Sequence, residues 1–271
     1  MKYVRIERPR AHIAVVTLNR PERLNALSYQ LLRELHAAFD ELGGELDTRV
    51  IIVTGAGRGF CSGADLKAGP SGENGPWEEG LGQIQMQYRM QQGYAGLVAK
   101  MRKIAQPLIA AVNGPAAGGG LSIALACDLR IAASEARFNC AFTRIGLGGG
   151  EMGSSYFLPK LVGPAMAAEL MYTGRLIDAA EAREIGLVSR VVEGERLLDT
   201  ALDLAQQMIA FATPFGLRIT KEVLDQVQGG LSLETALHIE NRNQILASQT
   251  NDTAAAGLAW AEAKKPEYRD E

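Results

Sequence analysis

Histidine and cysteine are scarce in this chain of 271 residues, which contains three of each. The histidines are scattered, so the sequence offers no metal-ligand cluster, and we expect no bound metal. Carboxylates must then carry any proton transfer that a histidine would otherwise perform. Cys61, Cys127 and Cys140 form no C-x-x-C pair, which favours a reducing compartment over a disulfide framework.

Long apolar runs and a strong net charge are also missing. No stretch approaches 18 apolar residues, so no membrane span is expected, and residues 1–10 lack the apolar centre of a secretory signal. The formal net charge of −3 provides no basic field to attract RNA or DNA. These absences predict a cytoplasmic globular protein that binds neither membranes nor nucleic acid.

Apolar patterning indicates how the chain is organised. Runs of aliphatic residues predict strands at residues 12–18, 50–54, 107–112, 129–133 and 189–192. Helical patterns alternate with these strands through about residue 200, which predicts an α/β core. Helices are expected afterwards, at about residues 197–211, 215–227 and 233–248.

Residues 69–96 differ from their surroundings, because they are rich in Gly and Gln and have weak periodicity. This composition predicts a mobile lid beside a site, with a helix near residues 86–101. Candidates for shaping an apolar pocket are Trp77, the Met- and Gln-rich segment 83–92, Phe142 and Met152.

Two glycine-rich turns, at residues 59–67 and 113–122, each follow a predicted strand and open a predicted helix. Glycine lets the backbone approach a ligand closely and leaves N–H groups pointing outward. A helix N-terminus adds free N–H groups and partial positive charge. Two such turns side by side would build an oxyanion hole, although either turn alone could simply permit tight strand–helix packing. The run at residues 55–60 is a poor dinucleotide fingerprint, because Phe60 stands where the third glycine belongs.

The order and spacing of several motifs resemble the crotonase, or enoyl-CoA hydratase/isomerase, superfamily. The segments that carry this resemblance are LNRPERLNAL at 18–27, SGADLK at 62–67, GGG at 118–120, ACDLRIA at 126–132, IGL at 145–147, LPKLVG at 158–163, TGR at 173–175, AAEA at 179–182 and EIGLV at 184–188. The resemblance implies an α/β fold, a crotonase-like spiral of ββα units with a C-terminal helical region. Residues 1–200 would form the core with the acyl-CoA site, and residues 201–271 would serve packing and oligomerisation. It also implies a homotrimer or hexamer, with coenzyme A entering as part of the substrate and no separate cofactor.

The resemblance also implies roles for individual residues. By position, Ala64 and Gly119 match the two oxyanion-hole residues, whose N–H groups would hold an enolate oxygen. The other residues expected near the substrate are Leu24, Ala26, Asp65, Leu66, Lys67, Ser122 and Phe142. Lys67 would place a cation near the phosphates of coenzyme A, and Asp65 is also expected to brace its turn.

The catalytic acid is the point where this chain departs from the hydratases. Ser122 and Phe142 stand where the two hydratase glutamates are expected, and neither can transfer a proton as a carboxylate does. Glu151, in a glycine-rich loop before a predicted helix, matches the single acid of many enoyl-CoA isomerases. A one-carboxylate shift of a double bond is therefore favoured. The alternatives are a hydratase with atypical catalytic residues, an inactive acyl-CoA-binding paralogue and, least favoured, an RNA-binding protein.

Overall fold

The computed structural model describes residues 1–67 and 80–271, so the predicted Trp77 and the first part of the predicted lid lie outside the described residues. The strands, β1 to β9 in chain order, are Val4–Arg10, Ile13–Leu18, Val50–Gly55, Leu108–Val112, Ala116–Ala117, Leu129–Ala133, Arg137–Asn139, Ile177–Asp178 and Arg190–Val192. The α-helices, α1 to α10, are Tyr29–Gly44, Gln83–Lys103, Gly119–Ala126, Ser154–Val162, Pro164–Thr173, Ala179–Glu184, Leu197–Phe211, Pro214–Gln228, Leu233–Ser248 and Asn251–Ala261.

A six-stranded sheet in the order β1-β2-β3-β4-β6-β9 forms the main layer. Its strands run parallel except for β1, which pairs antiparallel with β2 at the edge. The central strands β2 and β4 are buried on both faces, as near-continuous apolar strands require. Along β2, Val16 faces the core under α1 and α3, whereas Val15 faces α7.

A second, three-stranded sheet in the order β5-β7-β8 gives the chain its spiral path. β4 lies in the main sheet and is followed by β5 in the small one, and β6 is followed by β7 in the same way. Isolated bridges from Leu27 to Ala64 and from Cys61 to Ala116 continue this second layer towards the first glycine turn. The predicted α/β spiral followed by helices is confirmed.

Local sequence signals explain several element boundaries. The hydroxyl of Ser28 accepts the N–H of Leu31 at 3.2 Å and caps α1, and the helix ends at the Gly43–Gly44 pair. The predicted helix near 86–101 is the longer α2. α7 packs on the main sheet with its buried Ala201 and Ala205, so it belongs with the core. The role of the later helices in oligomerisation stays a prediction.

Candidate active site

The two glycine turns lie side by side because their backbones pair. The N–H of Cys61 donates to the carbonyl of Pro115 at 3.0 Å, and the carbonyl of Cys61 accepts the N–H of Ala117 at 3.0 Å. This pairing leaves no room for a side chain at Gly120, where a Cβ would lie 2.0 Å from the Cys61 carbonyl oxygen. The sequence therefore needs glycine at the second residue of α3 to bring the turns together.

Ala64 and Gly119 both line one cavity next to this junction. In the described part of the chain, neither backbone N–H donates to any acceptor. Gly119 is the first residue of α3, so its free N–H carries the partial positive charge of a helix N-terminus. A Cβ on Gly63 would lie 3.3 Å from the Gly119 nitrogen, which shows how closely the turns approach. The pair can hold an oxygen that develops negative charge.

The segment before α1 forms hydrogen bonds with the first glycine turn and with the residues leading into it. Asn25 is fully buried with φ of 54°, and its side-chain amide donates to the carbonyls of Ala56 at 3.0 Å and Gly59 at 2.8 Å. Its side-chain oxygen accepts the N–H of Arg20 at 2.8 Å. This buried amide satisfies polar backbone groups on both sides and so fixes the path of the turn that carries Ala64.

Asp65 follows Ala64 and accepts a hydrogen bond from Arg20, which belongs to the same segment before α1. The Arg20 guanidinium donates to one Asp65 oxygen at 3.0 Å and to the carbonyl of Ala26 at 2.7 Å. The other Asp65 oxygen accepts the backbone N–H of Lys67 at 3.2 Å. Burial raises the pKa of Asp65, but the hydrogen bond and charge of Arg20 outweigh burial and hold that pKa below its ordinary value. Asp65 therefore braces its turn, as expected.

The cavity beside these N–H groups has a volume of about 370 Å³. Its walls are mostly apolar and come from the first turn, α2, the 3-10 helix Ala141–Ile145 and the loop before α4. Its apolar and aromatic side chains are those of Leu27, Tyr29, Ala64, Leu66, Met90, Tyr94, Ala141, Phe142, Ile145, Leu147 and Met152. The acidic residues among its described lining are Asp65 and Glu151.

Glu151 is held in this lining by its backbone. Its carbonyl accepts the Ser122 hydroxyl at 3.1 Å and the Ser154 N–H at 2.9 Å, and its own N–H donates to the Ser154 hydroxyl at 3.0 Å. Met152 follows with φ of 47°, an uncommon conformation for a residue with a side chain. The loop is thus fixed on both sides of Glu151, and its backbone conformation is a constrained one.

Two residues of α2 complete the site: Gln91, which lies in the predicted pocket-shaping segment 83–92 but was given no role, and Tyr94, which was not predicted. The Gln91 amide donates to the Glu151 carboxylate, and the Tyr94 hydroxyl donates to the carbonyl of Leu27 at 3.0 Å. Burial raises the pKa of Tyr94 to about 12, so its hydroxyl stays protonated at neutral pH. The only sequence signal was their spacing of three, which puts both on one face of a helix.

Comparisons with known proteins show which family the chain belongs to. The profile of the enoyl-CoA hydratase/isomerase family matches residues 8–271. The chain belongs to this family. It is 40% identical to a Mycobacterium tuberculosis protein described as a probable enoyl-CoA hydratase, EchA12, over 99% of this chain and 93% of the relative.

Solved structures of family members extend the match to three dimensions. A probable enoyl-CoA hydratase/isomerase from Mycobacterium abscessus superposes with a TM-score of 0.92, at 38% identity, over 99% of each chain. A structure described as a monofunctional enoyl-CoA isomerase from M. smegmatis matches with a TM-score of 0.73, at 40% identity, over 88% of this chain and 99% of that one. The protein is thus an enzyme of the enoyl-CoA hydratase/isomerase family, which acts on acyl-CoA thioesters.

The remaining residues that the resemblance implied differ in whether they line this cavity. Leu66 lines it, whereas Leu24, Ala26 and Lys67 do not. Lys67 is exposed next to the undescribed residues, and its contact with phosphate stays a prediction. Leu24 and Ala26 instead hold the segment that precedes α1. The carbonyl of Leu24, whose φ is 49°, accepts the N–H of Ser62, and the carbonyl of Ala26 accepts the Arg20 guanidinium.

The two residues at the positions expected for the hydratase glutamates differ, because one lines the cavity and the other does not. Phe142 lines the cavity, and its ring lies 3.5 Å from where a Cβ on Gly118 would stand. Ser122, predicted to contact the substrate, does not line the cavity. Its side chain is fully buried and supports the carbonyl of Glu151 instead. Its contact with the acid is therefore indirect, through the backbone.

Proposed function

We propose that this enzyme moves a carbon–carbon double bond within an enoyl-CoA, with Glu151 as the single proton carrier. The observation that carries the proposal is that Glu151 is the carboxylate of the described cavity lining without an ion-pair partner in the described part of the chain, since the other acid, Asp65, is paired with Arg20. No histidine or cysteine is present among the described lining residues. Tyr94 stays protonated, and its hydroxyl donates a hydrogen bond to the carbonyl of Leu27, so it is a poor base.

The proposed step conserves every atom of the substrate. Glu151 removes a proton from carbon 2 of a 3-enoyl-CoA, and the electron pair enters the thioester carbonyl as an enolate. The N–H groups of Ala64 and Gly119 hold the enolate oxygen. The protonated Glu151 then donates to carbon 4 as the pair returns, so the double bond shifts from carbons 3–4 to carbons 2–3. One carboxylate suffices because no water is added.

The name of one solved relative, a monofunctional enoyl-CoA isomerase, supports the same reaction class. The name of the relative described as a probable enoyl-CoA hydratase favours hydration instead, so a test must separate isomerisation from hydration. Hydration needs a water held and activated in the site, and here Ser122 and Phe142 replace the two expected carboxylates.

The test incubates the protein separately with a 3-enoyl-CoA and a 2-enoyl-CoA of the same chain length. Conjugation of the double bond with the thioester is followed by ultraviolet absorbance, and the 3-hydroxyacyl product is followed by mass spectrometry. We expect conversion of the 3-enoyl-CoA to the 2-enoyl-CoA with little hydration. Hydration at a rate matching isomerisation would contradict the proposal.

A further inference from the structure

The two oxygens of the Glu151 carboxylate have different surroundings. Oε1 accepts two hydrogen bonds, one from the side-chain amide of Gln91 and one from the N–H of Met152 at 3.1 Å. Oε2 accepts none from the described part of the chain. A carboxylate that is held by one oxygen keeps the lone pairs of the other available for a proton.

The two donors to Oε1 differ in what they fix. The Met152 N–H belongs to the next residue of the same loop, so its bond orients the carboxylate only relative to that loop. Gln91 lies 60 residues away in the sequence, on α2. Its amide is therefore the contact that fixes the carboxylate relative to a separate cavity wall.

The same face of α2 also contacts the other half of the site. Tyr94, three residues after Gln91, donates to the carbonyl of Leu27, which also accepts the N–H of Asp65 at 3.2 Å. Leu27 in turn donates its N–H to the carbonyl of Gly63 at 2.8 Å, next to Ala64. One helix face thus contacts both the acid and the segment that carries an oxyanion-hole N–H.

We infer that Gln91 is a positioning residue that holds Oε1 of Glu151 and leaves Oε2 as the oxygen that takes and returns the proton. This inference rests on the proposed function. A neutral amide suits the role because it donates a hydrogen bond to the carboxylate without adding a positive charge that would suppress its basicity. An ion pair with lysine or arginine in its place would favour the ionised form more strongly and hinder return of the proton.

The experiment compares Gln91→Leu and Gln91→Glu with the same substitutions at Gln92. Gln92 is the next residue of α2, is exposed and does not line the cavity. Gln91→Leu removes the donor that holds the carboxylate against α2, so we expect kcat to fall about tenfold while KM stays within about twofold of the wild type, because a displaced base loses its alignment. Gln91→Glu places a like charge beside the carboxylate and should lower kcat further. Both Gln92 variants should leave kcat and KM unchanged.

A second readout does not depend on turnover. Carbon-13 NMR of glutamate-labelled protein at one fixed pH, with Glu151→Gln to assign the resonance, reports the surroundings of the Glu151 carboxyl carbon. This resonance should change position in both Gln91 variants and stay in place in both Gln92 variants. A wild-type kcat or an unmoved resonance in folded Gln91 variants would overturn the inference. If the wild type does not move double bonds, the proposed function fails, and a moved resonance would still establish the contact while an unmoved one would refute it.

Discussion

The hydroxyl of Ser122 donates a 3.1 Å hydrogen bond to the backbone carbonyl of Glu151. Ser122 occupies a position where the hydratases of this family are expected to carry a catalytic glutamate. In this chain the position is fully buried and supports the loop of a different acid. In this chain a buried serine at this position therefore supports the loop that carries Glu151.

Ser122→Ala tests this support. The Glu151 carbonyl keeps the Ser154 N–H, so we expect a loss of only about 1 kcal/mol in the free energy of unfolding. The loop should become less well aligned, which we expect to lower kcat about tenfold with little change in KM. Steady-state kinetics and urea unfolding measure both effects.

The control for this substitution is Ser248→Ala. Ser248 is an exposed serine of α9 whose hydroxyl donates to the carbonyl of Ile245 at 2.7 Å, and it does not line the cavity. It should leave kcat unchanged. A normal kcat in Ser122→Ala as well would show that the hydroxyl does not support catalysis.

Gly120→Ala tests whether the two turns must touch. The added Cβ would lie 2.0 Å from the Cys61 carbonyl oxygen, which belongs to the backbone and cannot rotate away. We expect a loss of about 3 kcal/mol or more in stability, with loss of activity. Gly257→Ala in α10 is the control, because nothing lies within 4 Å of its Cβ, and it should gain up to about 1 kcal/mol. Chemical denaturation that finds equal stabilities would refute the close packing.

Asp65→Asn removes one partner of the Arg20–Asp65 pair, whose side chains are 10% and 5% exposed. Leaving the Arg20 charge buried without its partner should cost about 3 kcal/mol at neutral pH. Because the folded pKa of Asp65 lies below its ordinary value, the stability it contributes is complete above that ordinary value. It is lost as the pH falls through the folded pKa.

Urea unfolding of wild type and Asp65→Asn across the acid range measures this linkage. The difference in stability between them should shrink as the pH falls. A difference that stays constant down to the lowest pH at which both proteins fold would show that the charge of Asp65 is not what stabilises the turn.

Local sequence signals were sufficient for the glycine turns and for five of the nine described strands, β2, β3, β4, β6 and β9. The aliphatic runs of β3 and β4 and the capping Ser28 each carry their information within a few residues. β1 was missed, because it is an edge strand whose exposed residues alternate with buried or half-buried ones such as Val4 and Ile6 among charges. α10 was also missed, although Thr250 caps it.

The parts of the site that the sequence did not predict depend on contacts between distant segments. Gln91 reaches Glu151 across 60 residues, and Ser122 reaches it across 29. Such contacts depend on how α2, which carries Gln91, and α3, which carries Ser122, pack against the Glu151 loop. No local pattern encodes that packing. The predicted helix near 86–101 was correct in kind, but the face that it turns to the cavity was not evident.

Glu151→Gln in the double-bond shift is the most direct test of the account. The amide cannot carry a proton, so isomerisation of a 3-enoyl-CoA should fall at least about 100-fold. The Kd for a saturated acyl-CoA, measured by calorimetry, should stay within about threefold of the wild type, since the apolar lining and the N–H groups of Ala64 and Gly119 are intact. Isomerisation within about twofold of the wild-type rate would contradict the central claim that Glu151 carries the proton.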